Sequence, residues 1–173
     1  MYNLFNIYFC VHIIALFLFT SCEVNSDLSV IEDCSTRLKE TQINDQLASD
    51  RKIMSHKILG LINAHRQSIG LIKLKSSITA KYLASKHNDF QINNGEISHE
   101  NFQFRTCYLS NFTNVTSTGE NVASGFKLCQ SVMNRWLNSD RHKKNIEGDF
   151  VSIGIAVDSD YNNKLYYSTL FFK

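Results

Sequence analysis

The chain has 173 residues, of which 43% are hydrophobic and 20% charged, with a formal net charge of +2. These figures suit one globular domain with a real core plus extra segments. They speak against a nucleic-acid partner, because no basic stripe interleaved with aromatics accompanies so small a net charge. There is no proline, so turns fall to Gly, Asn, Asp and Ser.

Residues 1–21 carry no charged side chain, and Tyr8 to Thr20 is almost wholly apolar. That run is shorter than the roughly 20 apolar residues of a bilayer span, but it suits the central part of a secretory signal. The run Phe19-Thr20-Ser21-Cys22 resembles a bacterial lipobox, with Phe where Leu is usual. The resemblance implies removal of residues 1–21 and acylation of Cys22, by palmitate-like chains, on its thiol and new amino group. Several such chains anchor stably where one is marginal. An outer-membrane lipoprotein facing the cell exterior is the expected location; an ordinary secretory signal with a coincidental cysteine is the alternative. Residues 22–51 are polar and weakly periodic and are expected to be a tether, with local helix around Ser35 to Gln46.

Residues 52–173 are expected to form the domain. Met54, Ile58, Leu61, Ile62, His65 and Ile69 recur at helical spacing, and Gly70 is placed to end that helix. A second helix follows Ser76-Ser77, with Ala80, Leu83, Ala84 and His87 on one stripe and an end near Asn94-Gly95; its small alanines imply close packing. A short turn at Ile97 to Phe102 leads into a loop reaching Thr118. Phe126 to Asn138 reads as an amphipathic helix with Cys129, Val132, Met133, Trp136 and Leu137 inward. Val151, Ile153, Ile155 and Val157 alternate with small residues, and after a turn Leu165 to Phe172 runs apolar and aromatic, which predicts a closing hairpin. Helices first and a hairpin last indicate an α+β or layered αβα domain.

Five stretches, in this order and spacing, resemble the CAP superfamily of cysteine-rich secretory proteins, antigen 5 and pathogenesis-related 1 proteins, in its bacterial short form: LINAHRQSIGL (61–71), Ser98-His99, GENVASG (119–125), WLNSDRHKKNI (136–146) and the final GIAV…LYYSTLFF. With the lipobox in front, the likeness is to a spirochaete outer-surface lipoprotein of that class. It implies an αβα sandwich with a small antiparallel sheet between helix layers and a cleft lined by histidines and acids. His99 matches the first cleft histidine, Glu120 the acid of the GEN motif and His142 the histidine of the bacterial HxxNI motif. The second acid of animal and plant members falls on Ser139 and their second histidine on Tyr166, so the full tetrad is absent.

Two imidazoles and one carboxylate form a sensible set for Zn²⁺, so His99, His142 and Glu120 are the candidate weak zinc site. The competing reading is a hydrogen-bonded network in which Glu120 orients the imidazoles and pins the GEN segment, taken as a loop, to the helix layer. A hydrolase needs a nucleophile beside a base, and no motif marks Ser98 or Ser139 as activated; Cys107 and Cys129 are not flagged as thiolates. His65 and His87 are expected to be buried structural residues, His87 with a second reading near the cleft. His56 is expected on a solvated face, and Asn145 is expected to bond backbone. Among the cysteines left after Cys10 and Cys22, namely Cys34, Cys107 and Cys129, an exported protein permits one bridge, and Cys107 with Cys129 is the expected pair. The leading expectation is a monomeric, membrane-anchored module binding a small ligand, a lipid or sterol, or a host protein through its cleft or surface. The alternatives are a hydrolase using His99, Glu120 and His142, and a structural, immune-facing surface protein with a vestigial cleft.

Overall fold

In a computed structural model of the chain, residues 25–173 are described, and the chain divides into two units, Met1–Thr41 and Gln42–Lys173. The expected signal segment and Cys22 lie outside the described residues. No helix among the described residues is long and apolar enough to cross a membrane.

Helix α1 is Asn25–Ser68. The tether expected over 22–51 is therefore helical from Asn25 on, and the domain's first helix does not begin at Lys52. The reason is local: neither Gly nor Pro occurs between Asn25 and Leu59. Pairs four apart add small increments, such as Asp33–Arg37 at 3.1 Å and Gln46 donating to Asp50 at 2.9 Å. The side chains of 35–50 are exposed, so no apolar period marks this stretch. Past the helix end, Gly70 takes φ 81°, a left-handed conformation that favours glycine.

In the unit Gln42–Lys173, strand β1 (Lys75–Ser76) precedes helix α2 (Ile78–Asn94). The Ser77 hydroxyl accepts from the Ala80 amide at 3.2 Å as N-cap, and Gly95 closes α2 with φ 74°. Helix α3 (Phe102–Ser110) occupies the first half of the expected loop. The GEN segment lies on a strand, β2 (Thr118–Ser124), and not in a loop. The expected helix around Trp136 is α4 (Cys129–Leu137), which starts three residues later than expected, and after a break at Ser139 a further helix that was not expected follows, α5 (Asp140–Ile146). Strands β3 (Ser152–Ser159) and β4 (Leu165–Phe172) make the expected hairpin.

The four-stranded sheet has the order β1-β3-β4-β2, antiparallel except for the short β1–β3 pairing. Its two faces bury two clusters. On one, Ile153, Ile155, Tyr167 and Phe171 meet Ile58 and Ile62 of α1, Val132, Met133 and Trp136 of α4, and Ile146 of α5. On the other, Leu170 and Phe172 meet Ala80 and Leu83 of α2 and Leu109 of α3. Helices therefore cover both faces, giving the expected three-layer αβα sandwich. The second interface is very close at Gly154, where a β-carbon would lie 2.0 Å from the Ala80 carbonyl carbon. Helix α2 is held down by a buried polar network as well: Asn88 donates to Asp158 at 2.8 Å and to the Tyr166 carbonyl at 3.2 Å, and Gln91 donates to Ser168 at 2.9 Å.

Cys107 and Cys129 are free thiols, so the expected bridge is not formed. Cys129 faces the core from α4 and its Sγ donates to the Met54 carbonyl at 3.7 Å, while Cys107 is exposed on α3; the two side chains belong to different environments. Burial pushes the Cys129 thiol up.

Candidate functional site

Glu120 lies on β2, the outermost strand, opposite Leu170 of β4. Only 3% of its side chain is exposed. A buried carboxylate needs compensating charge and donors, and Arg105 of α3 supplies both: Nε donates to Oε2 at 2.7 Å and Nη2 to Oε1 at 2.8 Å. Oε1 also accepts from His99 Nδ1 at 2.9 Å. This fixes the His99 ring with the proton on Nδ1, leaving Nε2 without a protein partner among the described residues. Arg105 Nη1 donates to the Glu100 carbonyl at 2.8 Å, so the turn carrying His99 is tied to α3 through one guanidinium.

Behind this pair stands His87 of α2, 2% exposed. Its Nε2 donates to the Ser98 carbonyl at 2.7 Å and lies 3.7 Å from Glu120 Oε1, and its Nδ1 is buried without a partner. Burial lowers its pKa, outweighing the opposing pull of Glu120. His87 thus supports the residue before His99 from within and does not line the cleft.

The other wall is α5. His142 Nδ1 is 2.9 Å from the Ser139 hydroxyl, and its pKa is lowered by burial, then by the nearby positive charge of His99 and Arg135. Asn145 donates through Nδ2 to the Glu120 carbonyl at 2.9 Å and to Asn121 Oδ1 at 2.8 Å. Asn121, fully buried, returns a bond from Nδ2 to the His142 carbonyl at 3.0 Å. Trp136 Nε1 donates to the Val122 carbonyl at 3.1 Å. The GEN and HKKN stretches are therefore one interlocked joint between β2 and α5. A side chain at position 119 would not fit it, because a β-carbon there would meet Asn145 Oδ1 at 2.7 Å.

Between these walls is an open cleft of about 440 Å³. His99, Glu120 and His142 all line it, together with Phe102, Arg141 and Lys144. Tyr166 does not. It is 1% exposed, its strand position is opposite Ser124 at the far end of β2, and it lies four residues along β4 from Leu170, the partner of Glu120, a distance of about 13 Å at strand spacing. The expected zinc set does not fit the geometry either. Both Glu120 oxygens are committed to Arg105 and His99, and no group of three or more His, Cys, Asp or Glu among the described residues is arranged to hold a metal ion. His99 and His142 alone would offer ring nitrogens, fewer than the three protein ligands zinc sites use. Elsewhere, His56 is exposed, Asn145 bonds backbone, and His65, half-buried, is 2.8 Å from Glu147.

Arg105, Arg141 and Lys144 went unremarked in the sequence. Arg141 and Lys144 were within reach of inspection, since they flank His142; Arg105 was not, because nothing near it in sequence is acidic except Glu100, which it touches only through backbone.

The fold and cleft define an α+β sandwich whose site is assembled from a strand, a turn and a short helix. The family model for the CAP, cysteine-rich secretory protein family, matches residues 59–172, and the chain belongs to that family. A Bacillus subtilis relative described as uncharacterized protein YkwD is 26% identical over 142 residues, 79% of this chain, and the chain spans 55% of that relative's length. Among solved structures, an outer surface protein from Borrelia burgdorferi has a TM-score of 0.64 at 24% identity, covering 71% of this chain and 94% of its own. An extracellular protein containing an SCP domain from Bacillus anthracis gives 0.65 at 21% identity over 75% of this chain and 43% of its own. A cysteine-rich secretory protein from Staphylococcus aureus gives 0.62 at 21% identity over 70% and 38%. At these identities the structures establish the fold.

Proposed function

We propose that this CAP-domain protein is exported, anchored by lipid on Cys22, and binds a small ligand in the cleft between His99 and His142. The observation that carries the binding reading is preorganisation. Glu120, His99, His142 and Asn145 are each held by a hydrogen bond of the fold itself, so the cleft's polar groups keep their positions without a ligand. The surface and extracellular descriptions of the Borrelia and Bacillus anthracis structures support the location.

The binding reading is tested by amide-resolved NMR of the full-length chain against a fragment library. Fragments should move resonances of Gly119 to Asn121 and Arg141 to Asn145; a screen whose fragments all leave that set unmoved sinks the reading. The anchor is tested separately: the Cys22→Ser chain should leave the membrane fraction, and retention there would refute lipidation at that residue.

One observation favours the hydrolase reading, the 2.9 Å contact between Ser139 and His142. A nucleophile and base of that kind are normally oriented by a third group, and His142 has no carboxylate partner among the described residues. Ester hydrolysis abolished by Ser139→Ala would reverse the order of the two readings.

A further inference from the structure

Resting on the reading of the cleft as a binding site, we infer that its ligand is anionic: a carboxylate or phosphate group on a small apolar body. The argument is one of charge left over once the fold's own pairs are counted. Glu120, the one acid lining the cleft, is neutralised from within by Arg105, whose guanidinium approaches both of its oxygens. Its charge therefore points inward. Arg141 and Lys144 line the same cleft, are exposed, and have no carboxylate within ion-pair distance among the described residues.

Two of the neighbouring acids are engaged elsewhere. Glu147 is 2.8 Å from His65 and 3.9 Å from Lys143, and Asp149 is paired with Lys173 at 2.6 Å. Neither Asp140, on the same helix as His142, nor Glu100 lines the cleft. The walls thus present two uncompensated cations beside two imidazoles. A cation has no free carboxylate to meet here, and a neutral ligand would leave Arg141 and Lys144 unanswered.

The opposite wall carries one large apolar side chain, Phe102, beside His99 and Glu120. Phe102 is half-buried, with the Arg105 guanidinium 6.0 Å from its ring centroid, so the ring's outer part is left to a ligand. An anionic head at the α5 wall and a flat apolar body against Phe102 match the cleft in both size and polarity.

The experiment uses the full-length chain and four probes sharing one ring: phenyl phosphate, benzoate, benzyl alcohol and benzylamine, followed through amide shifts of Gly119 to Asn121 and Arg141 to Asn145. Phenyl phosphate and benzoate should bind at least about tenfold more tightly than the alcohol or the amine, and whichever anion binds tighter identifies the head group. The R141Q/K144Q chain should lose about tenfold in affinity for the anions, in line with removal of charge-assisted hydrogen bonds. Lys143→Gln, which removes a charge one residue away that is paired with Glu147, should change nothing. Both Arg141 and Lys144 are exposed, so their loss leaves the core intact. Benzyl alcohol binding as tightly as benzoate, or anion binding indifferent to R141Q/K144Q, overturns the anionic assignment and leaves the cleft reading standing. Shifts from no probe at these amides, in a chain whose other resonances are native, overturn both.

Discussion

A carboxylate as buried as Glu120 needs compensating charge, and most of that compensation is one side chain, Arg105, itself 9% exposed. Arg105→Met should therefore cost about 3 kcal/mol in urea denaturation, because it strands a buried charge, and adding Glu120→Gln should restore most of the loss. Equal losses in the single and double variants would show that Arg105 acts by packing alone. The histidines set a pH dependence. Burial lowers the pKa of His87 and of His142 below the ordinary 6.5, so the unfolded chain binds more protons than the folded one just below that value. Stability then rises with pH up to about 6.5 and is lost as pH falls below it. The loss should be shallower in His87→Gln and His142→Gln than in the parent; a parallel curve in both would refute the assignment. Comparing variants also cancels Asp158, whose pKa is raised by burial and which contributes with the opposite slope. At this scale the sequence pointed to His99, Glu120 and His142 through their motifs. It could not disclose Arg105, because the value of a buried cation depends on a carboxylate fifteen residues away on another element.

The interface of α2 with the sheet shows what an element's pattern can and cannot convey. Ser152, Gly154 and Ala156 alternate with the large residues of β3, and Ala80 and Ala84 recur on α2; small residues on both partners announce a close approach, and the structure has it. Gly154→Ala would drive a β-carbon to within 2.0 Å of the α2 backbone, where no side chain can yield, and should cost about 3 kcal/mol. Gly60→Ala is the contrast. That glycine sits in α1 with nothing within 4 Å of a β-carbon, and the change should stabilise by about 0.5–1 kcal/mol. Thermal unfolding of the two variants reads both signs, and a similar midpoint for both would contradict the packing described. Helix α3 was invisible for the complementary reason. Its two buried residues are Arg105 and Leu109, and an arginine on the inner face erases the apolar period that identifies a helix. Arg66, near the end of α1, is a second inward cation: 1% exposed, it donates to the carbonyls of Ile72, Ile146 and Gly148 at 2.8 Å each.

Taken whole, the unit Gln42–Lys173 relies on its two apolar clusters and on buried side-chain bonds to backbone, with Cys107 and Cys129 left as thiols. The layered architecture was legible because period-two and period-3.6 patterns survive wherever a face is buried. The helix over 25–51 was legible only as local helix around Ser35 to Gln46, since the exposed side chains of 35–50 carry no such pattern and read like a polar linker. The joint between β2 and α5 has a consequence beyond the cleft it shapes. An outermost strand offers unpaired carbonyls on which another molecule's strand can assemble, but here those of Glu120 and Val122 are occupied by the Asn145 amide and the Trp136 indole. The same side chains that set the cleft's shape thus guard the β2 edge of the sheet against edge-to-edge pairing.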